Sequence, residues 1–337
     1  MSFVRTVLGD IAPTSMGITY AHEHLVIDGG GAVAMSPDFL LVDTEKLTAE
    51  LRAGAEAGLQ TVVDAMPADC GRNPAMLADL SRRSGVQIIA STGLHHEKFY
   101  GPWHWSRRAT EGEIAALFVA DIVDGIDERD YGGPIVQRTM VRAGLIKIAG
   151  SEGGPSTRDQ PIFRAAAAAH LQVGVPLHTH CEAGTGALEQ IELLTRCGVP
   201  PDRISLSHVD KVVDRGYQRT ILETGAFAVY DQSFRWGDRA NGTLACLAWA
   251  AEDGRLGQVM LGMDAARQGY YASYGGGPGL SFLLRAFSTA MDERGFDTTA
   301  RSTIFVGNPA RAFAFAEPRP STSDRSAVGN APSPTSL

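Results

Sequence analysis

Six side chains of this sequence have the types and placement to hold metal ions. His22 and His24 stand two residues apart in Ala21-His22-Glu23-His24-Leu25, after a β-branched and aromatic run, Gly17-Ile18-Thr19-Tyr20, that reads as a strand. Alternate residues of a strand face the same way, so both imidazoles can reach one ion. His180 ends the run Pro176-Leu177-His178-Thr179-His180, His208 ends Leu206-Ser207-His208, and Asp264 ends Leu261-Gly262-Met263-Asp264. Lys147 lies inside Gly144-Leu145-Ile146-Lys147-Ile148, where a charged ammonium is expensive to bury. Imidazole and carboxylate favour zinc or a similar first-row ion. An ammonium repels cations, but a neutral amine that adds carbon dioxide becomes a carbamate, able to bridge two ions as a carboxylate does. Each residue also has an ordinary explanation. The histidines can be satisfied core residues, Asp264 can cap a helix, and Lys147 can pair with a buried acid. His178 shares a strand face with His180 and is expected deeper and non-ligating, with Cys181 structural.

Short apolar runs at 17–27, 61–66, 86–93, 144–149, 175–181, 204–210, 226–231 and 259–264 read as strands. Amphipathic stretches at 44–57, 161–171, 186–195, 212–223, 244–252, 280–294 and 309–315 read as helices, the first capped by Thr44 and the second opening on Pro161. Near-continuous apolar strands alternating with helices call for a parallel sheet buried on both faces. Eight such units predict an α/β (β/α)8 TIM barrel, whose strand ends bring the six residues to one mouth, the C-terminal face. The alternative, a doubly wound open sheet, lacks a glycine-rich dinucleotide loop after an early strand. The barrel is expected over residues 1–316. Residues 317–337, rich in Pro, Ser, Thr and Asn, read as a disordered tail. The segment 99–109, with Trp103, His104 and Trp105, reads as a loop forming a pocket wall or lid, or an aromatic packing or dimer contact.

The chain has 337 residues, 44% of them hydrophobic, and a net charge of −8. That balance argues against nucleic acid but leaves room for a local cluster that binds a small anion. The four cysteines show no CxxC spacing, so a disulfide framework or thiolate zinc site is not expected. With no signal pattern and no apolar run long enough to span a bilayer, the expectation is a cytoplasmic protein without membrane attachment.

The ordered strings Gly9-Asp10-Ile11-Ala12-Pro13 through Met16-Gly17-Ile18-Thr19 to His22-Glu23-His24, then GLIKI, THCEAGT, LSHVD, GMDAAR and GNPARAF, resemble the phosphotriesterase family of the amidohydrolase superfamily over about residues 5–316. The resemblance implies a binuclear hydrolase. His22, His24 and Asp264 would hold the more buried ion, His180 and His208 the more exposed one, and a carboxylated Lys147 would bridge them. Zinc is the expected metal, with cobalt or manganese able to substitute, and a homodimer is the expected assembly.

Within that family, Asp264-Ala265-Ala266-Arg267 followed by Tyr270 and Tyr274-Gly275-Gly276-Gly277-Pro278-Gly279 is similar to the branch that hydrolyses phosphorylated sugar lactones. That branch grips the substrate phosphate with an arginine, a tyrosine and a basic residue after strand seven. Arg267 and Tyr270 match the first two, the ordinary alternative being that Arg267 pairs with a nearby acid and Tyr270 packs in the loop; Arg235 stands for the third, where lysine is usual, with Arg239 competing. The implied reaction is attack of a metal-bridging hydroxide on a lactone carbonyl, with Asp264 as proton carrier. A phosphotriesterase of the aryldialkylphosphatase kind, or a lactonase for unphosphorylated lactones, is the alternative on the same ligands. A non-catalytic barrel would be expected to have lost one of the six positions, and all are present.

Overall fold

The computed structural model describes residues 2–237 and 240–317. A short antiparallel hairpin, β1 (Val4–Thr6) and β2 (Gly9–Ile11), precedes the main sheet. Eight parallel strands then follow in chain order: β3 (Thr19–Glu23), β4 (Thr61–Asp64), β5 (Gln87–Leu94), β6 (Leu145–Gly150), β7 (Leu177–Cys181), β8 (Ile204–Ser207), β9 (Phe227–Tyr230) and β10 (Val259–Leu261). The last seam, between β10 and β3, closes at its upper end. There Asp264 N donates to His22 O at 2.9 Å and His24 N to Ala265 O at 3.3 Å. Gly262 makes this approach possible, since a Cβ there would stand 2.9 Å from the His22 backbone. The expected (β/α)8 barrel is the fold, and every predicted strand window overlaps a barrel strand, β5 and β6 each running one residue beyond theirs.

The helices are α1 (Gly30–Met35), α2 (Thr44–Glu56), α3 (Pro74–Ser84), α4 (Glu111–Val123), α5 (Asp159–Val173), α6 (Ala187–Arg196), α7 (Arg215–Glu223) and α8 (Gly242–Glu252). Beyond β10 come α9 (Ser288–Glu293), α10 (Thr298–Ser302) and α11 (Asn308–Ala312). Several boundaries differ from the sequence reading for local reasons. Asp43, not Thr44, caps α2 by accepting from Lys46 N at 3.1 Å. Pro161 is the third residue of α5, which begins at Asp159. The stretch 280–294 divides into a π-type turn, Leu283–Phe287, and α9. The expected tail, apart from Glu317, lies outside the described residues.

The barrel interior below the mouth is filled by Ala21, Val63, Ile89, Leu145, Val229, Met260 and Phe313, while a second apolar layer packs strands against helices. Under the floor, Phe3 stacks on Phe315 at 4.5 Å, and the Arg5 guanidinium lies 5.1 Å from each ring. Among the described residues, no helix is long and apolar enough to cross a membrane.

Candidate metal centre and active site

The six residues meet at the C-terminal ends of the strands. The register of β3 against β4 shifts between Tyr20 and Glu23, the kind of irregularity that re-aims side chains at a barrel rim. His22 Nε2 and His24 Nε2 lie 3.7 and 3.4 Å from Asp264 Oδ1, and these three groups form a cluster able to hold an ion. Opposite them, His180 Nδ1 faces His208 Nε2 at 2.8 Å. Lys147 Nζ reaches up from β6 to within 3.3 Å of His22 Nε2 and 3.2 Å of Ser207 Oγ. His178 is buried one level down, its Nδ1 2.8 Å from Ser205 Oγ and its ring 4.9 Å from that of His22. Both His208 (φ 70°) and Asp264 (φ 49°) adopt left-handed backbone, a strained conformation typical of functional positions.

Three carboxylates that the sequence reading did not single out hold this cluster. Asp231, at the end of β9, accepts from His22 Nδ1 through one oxygen and from His208 Nδ1 through the other, both at 2.9 Å. Glu182 accepts from His180 Nε2 at 2.8 Å. Glu23, between the two histidines of the first pair, accepts backbone N–H from Met263 and Ala265. Asp231 was open to discovery by the rule that found Asp264, since it too ends a barrel strand.

These partners decide which ring nitrogens are available. With Nδ1–H of His22 and His208 given to Asp231, their Nε2 lone pairs face inward; with Nε2–H of His180 given to Glu182, its Nδ1 lone pair does. Two lone pairs confronting each other at 2.8 Å, on His180 and His208, require a cation or proton between them. Burial lowers the imidazole pKa of His22 to about 3 and of His180 and His208 to about 4, so all three are neutral and ligand-ready at pH 7. Burial alone would raise Asp264, but Arg235 and His208 outweigh it and hold the carboxylate well below its usual range. Burial also brings Lys147 down to about 7. Its Nζ bonds to His22 and Ser207, while the Asp264 and Asp231 carboxylates act on it through space. The donor set fits metal ions.

The cluster floors a cleft of about 360 Å³. Ile27, Phe39, Met66 and Phe99 supply apolar wall, and Lys98, Lys211, Arg235, Arg267 and Tyr270 polar wall. The Arg267 guanidinium lies 3.9 Å over the Phe39 ring and 3.6 Å from Asp38 Oδ2. Tyr270 packs on Phe234 at 5.0 Å. Arg235 is committed to the strand ends, donating to the carbonyls of Asp231, Met263 and Asp264 and to Asp264 Oδ2 at 3.2 Å. Arg239 lies outside the described residues. In the loop after β5, Phe99 lines the cleft, whereas His104 and Trp105 both bond to Asp69 and Trp103 is exposed.

Known proteins resemble this chain in sequence and in structure. A "phospho-furanose lactonase" of Mycoplasmopsis agalactiae is 32% identical over 327 residues, covering 94% of this chain and 93% of the relative. The crystal structure of an amidohydrolase from Mycoplasma synoviae superposes with a TM-score of 0.89 at 31% identity, covering 94% of this chain and 93% of that one. A lactonase from Listeria monocytogenes gives 0.85 at 30% identity, covering 94% and 100%. The family model for the phosphotriesterase family matches residues 2–313, and the chain belongs to that family.

Proposed function

We propose that this protein is a metal-dependent hydrolase that opens the ring of a phosphorylated sugar lactone. The observation that carries the reading is one cleft lined by two chemically different sets of side chains. Its floor is a cluster of imidazoles, with His22, His180 and His208 neutral, and an ionised aspartate, and its wall carries Arg267, Tyr270 and Lys211. The lactonases among the relatives support the same substrate class.

His22, His24 and Asp264 would hold one ion and His180 and His208 a second, zinc being the expected metal. Lys147 suits the bridging role because burial leaves a large neutral fraction of its amine near pH 7. That amine adds carbon dioxide and loses a proton, giving a carbamate anion. When bound, two divalent ions would acidify a water molecule and polarise the lactone carbonyl.

Asp264 would take the proton of the attacking water and return it to the departing ring oxygen. Arg235 keeps it ionised and aimed, through bonds to its carboxylate and its carbonyl. Arg267 offers a planar fork of donors to the phosphate and Tyr270 a neutral hydroxyl, with Lys211 as a further cation. Grip on a group remote from the carbonyl turns binding energy into orientation of the reacting bond.

The reading is tested by replacing Arg267 with Met and measuring kcat/KM on a phosphorylated sugar lactone and its unphosphorylated form. A charge-assisted bond of about 1.5–3 kcal/mol gives a loss of roughly 10- to 100-fold on the phosphorylated substrate and little change on the other. Equal losses on both would remove the phosphate grip.

A further inference from the structure

Asp231 braces two of the cluster imidazoles from β9, but His180 depends on a different group. In the motif THCEAGT, Glu182 follows His180 by two residues, and its Oε2 stands 2.8 Å from His180 Nε2. The turn that puts it there is tightly specified. Ala183 is left-handed at φ 54°, and a Cβ on Gly184, at φ 79°, would come within 2.7 Å of His208 O. The same carboxylate receives Lys98 Nζ at 3.0 and 3.2 Å. Lys98 comes from the loop after β5 and lines the cleft. An exposed lysine–glutamate pair by itself contributes little to stability, which does not explain a carboxylate fitted to the back of the largely buried His180 imidazole.

We propose, resting on the binuclear reading above, that Glu182 is a positioning residue that holds His180 with Nδ1 toward the second metal ion, and that Lys98 couples the loop after β5 to that ion by orienting Glu182. The chain Lys98–Glu182–His180 does for the more exposed ion what Asp231 does for His22 and His208. Without Glu182 the imidazole can exchange tautomers or rotate, and the ion it serves loses a preorganised ligand. The more buried ion keeps His22, His24 and Asp264, none of which touches Glu182. The effect is therefore confined to one of two metal equivalents, which a general loss of structure would not be.

The test is titration of the metal-free protein with zinc against a chromophoric chelator, which reads both equivalents without reference to activity. Wild type should bind two zinc ions per chain. Glu182→Ala should weaken one equivalent about 10- to 100-fold and leave the other unchanged. Glu182→Gln, which keeps an acceptor for the His180 N–H, should recover part of that loss. Lys98→Met should weaken the same equivalent by a smaller factor. Unchanged affinities in Glu182→Ala, or an equal fall in both equivalents, would overturn the role of Glu182 alone. Unchanged affinity in Lys98→Met would remove the coupling to the loop. Uptake of fewer than two ions by wild type would overturn the binuclear reading and this inference with it.

Discussion

Glu23 grips the turn that carries Asp264 from both sides, Oε1 accepting Met263 N–H at 2.7 Å and Oε2 accepting Ala265 N–H at 3.0 Å. This fixes the left-handed conformation that turns the Asp264 carboxylate over the imidazoles. Because both flanking residues are fully buried, Glu23→Ala would strand the Ala265 N–H, while Met263 N–H keeps a second acceptor, His22 O at 3.3 Å. The expected cost is roughly 1–3 kcal/mol, that of one unsatisfied buried donor. Denaturant unfolding of the metal-free protein checks this; a loss below about 0.5 kcal/mol, the level of an ordinary surface substitution, contradicts it.

Asp231 serves two imidazoles with one carboxylate, so Asp231→Asn is expected to weaken both metal equivalents about 10- to 100-fold. Asparagine can accept from one ring but points an NH2 donor at the other. Zinc titration of the variant measures the change. Wild-type affinity for both ions would show that tautomer control by Asp231 is unimportant.

The barrel and the six cluster residues were legible because each lies at a place the sequence marks. His180, His208 and Asp264 terminate apolar runs, and a lysine inside GLIKI is conspicuous against its neighbours. Asp231 terminates such a run too, yet its role arises only when imidazoles from β3 and β8 arrive at its two oxygens. No local pattern records that meeting. Glu182 and Glu23 were hidden in the same way, each within two residues of a flagged histidine but acting through geometry. Helix α4 carries a start signal, the capping box of Thr110 and Glu113, but its apolar residues lie on nearly every face and blur the helical stripe. For α3 the Asn73 cap and Pro74 were equally present. Arg235 shows another limit: its position after the seventh barrel strand suggested a phosphate contact, and it does line the cleft, but its bonds to the carbonyls of Asp231, Met263 and Asp264 add a positioning role that no local pattern records.

Those bonds lead to a further expectation. Arg235→Met should lower kcat about 10- to 100-fold on phosphorylated and unphosphorylated lactones alike, since it acts through Asp264 rather than on the phosphate. Steady-state kinetics on a matched pair of substrates decides it. A rise in KM restricted to the phosphorylated member would return Arg235 to the phosphate site.

The hairpin under the barrel floor gives a pH-dependent expectation. Arg5 donates to both Asp10 oxygens at 2.7 and 3.0 Å, and this pairing holds the Asp10 carboxyl below its ordinary value of 3.8. A lowered folded-state pKa contributes stability that is complete above the unfolded-state value and lost as pH falls through the folded one. Asp10→Asn should therefore cost about 1 kcal/mol at pH 7, since Asp10 is partly exposed and Arg5 keeps its bond to Ile122 O. The difference from wild type should fade as the pH drops below 3.8. Thermal unfolding across pH 2–7 measures it, and a gap that persists at the acid end contradicts the assignment.

The central claim is that one cleft joins a metal-dependent ring-opening centre to a phosphate grip. The most direct measurement is hydrolysis, by the zinc-loaded protein, of a panel that pairs each sugar lactone with its phosphorylated form. The account predicts turnover concentrated on the phosphorylated members and reduced by orders of magnitude in Asp264→Asn. Activity restricted to neutral lactones or organophosphate triesters, or undiminished in Asp264→Asn, would contradict it.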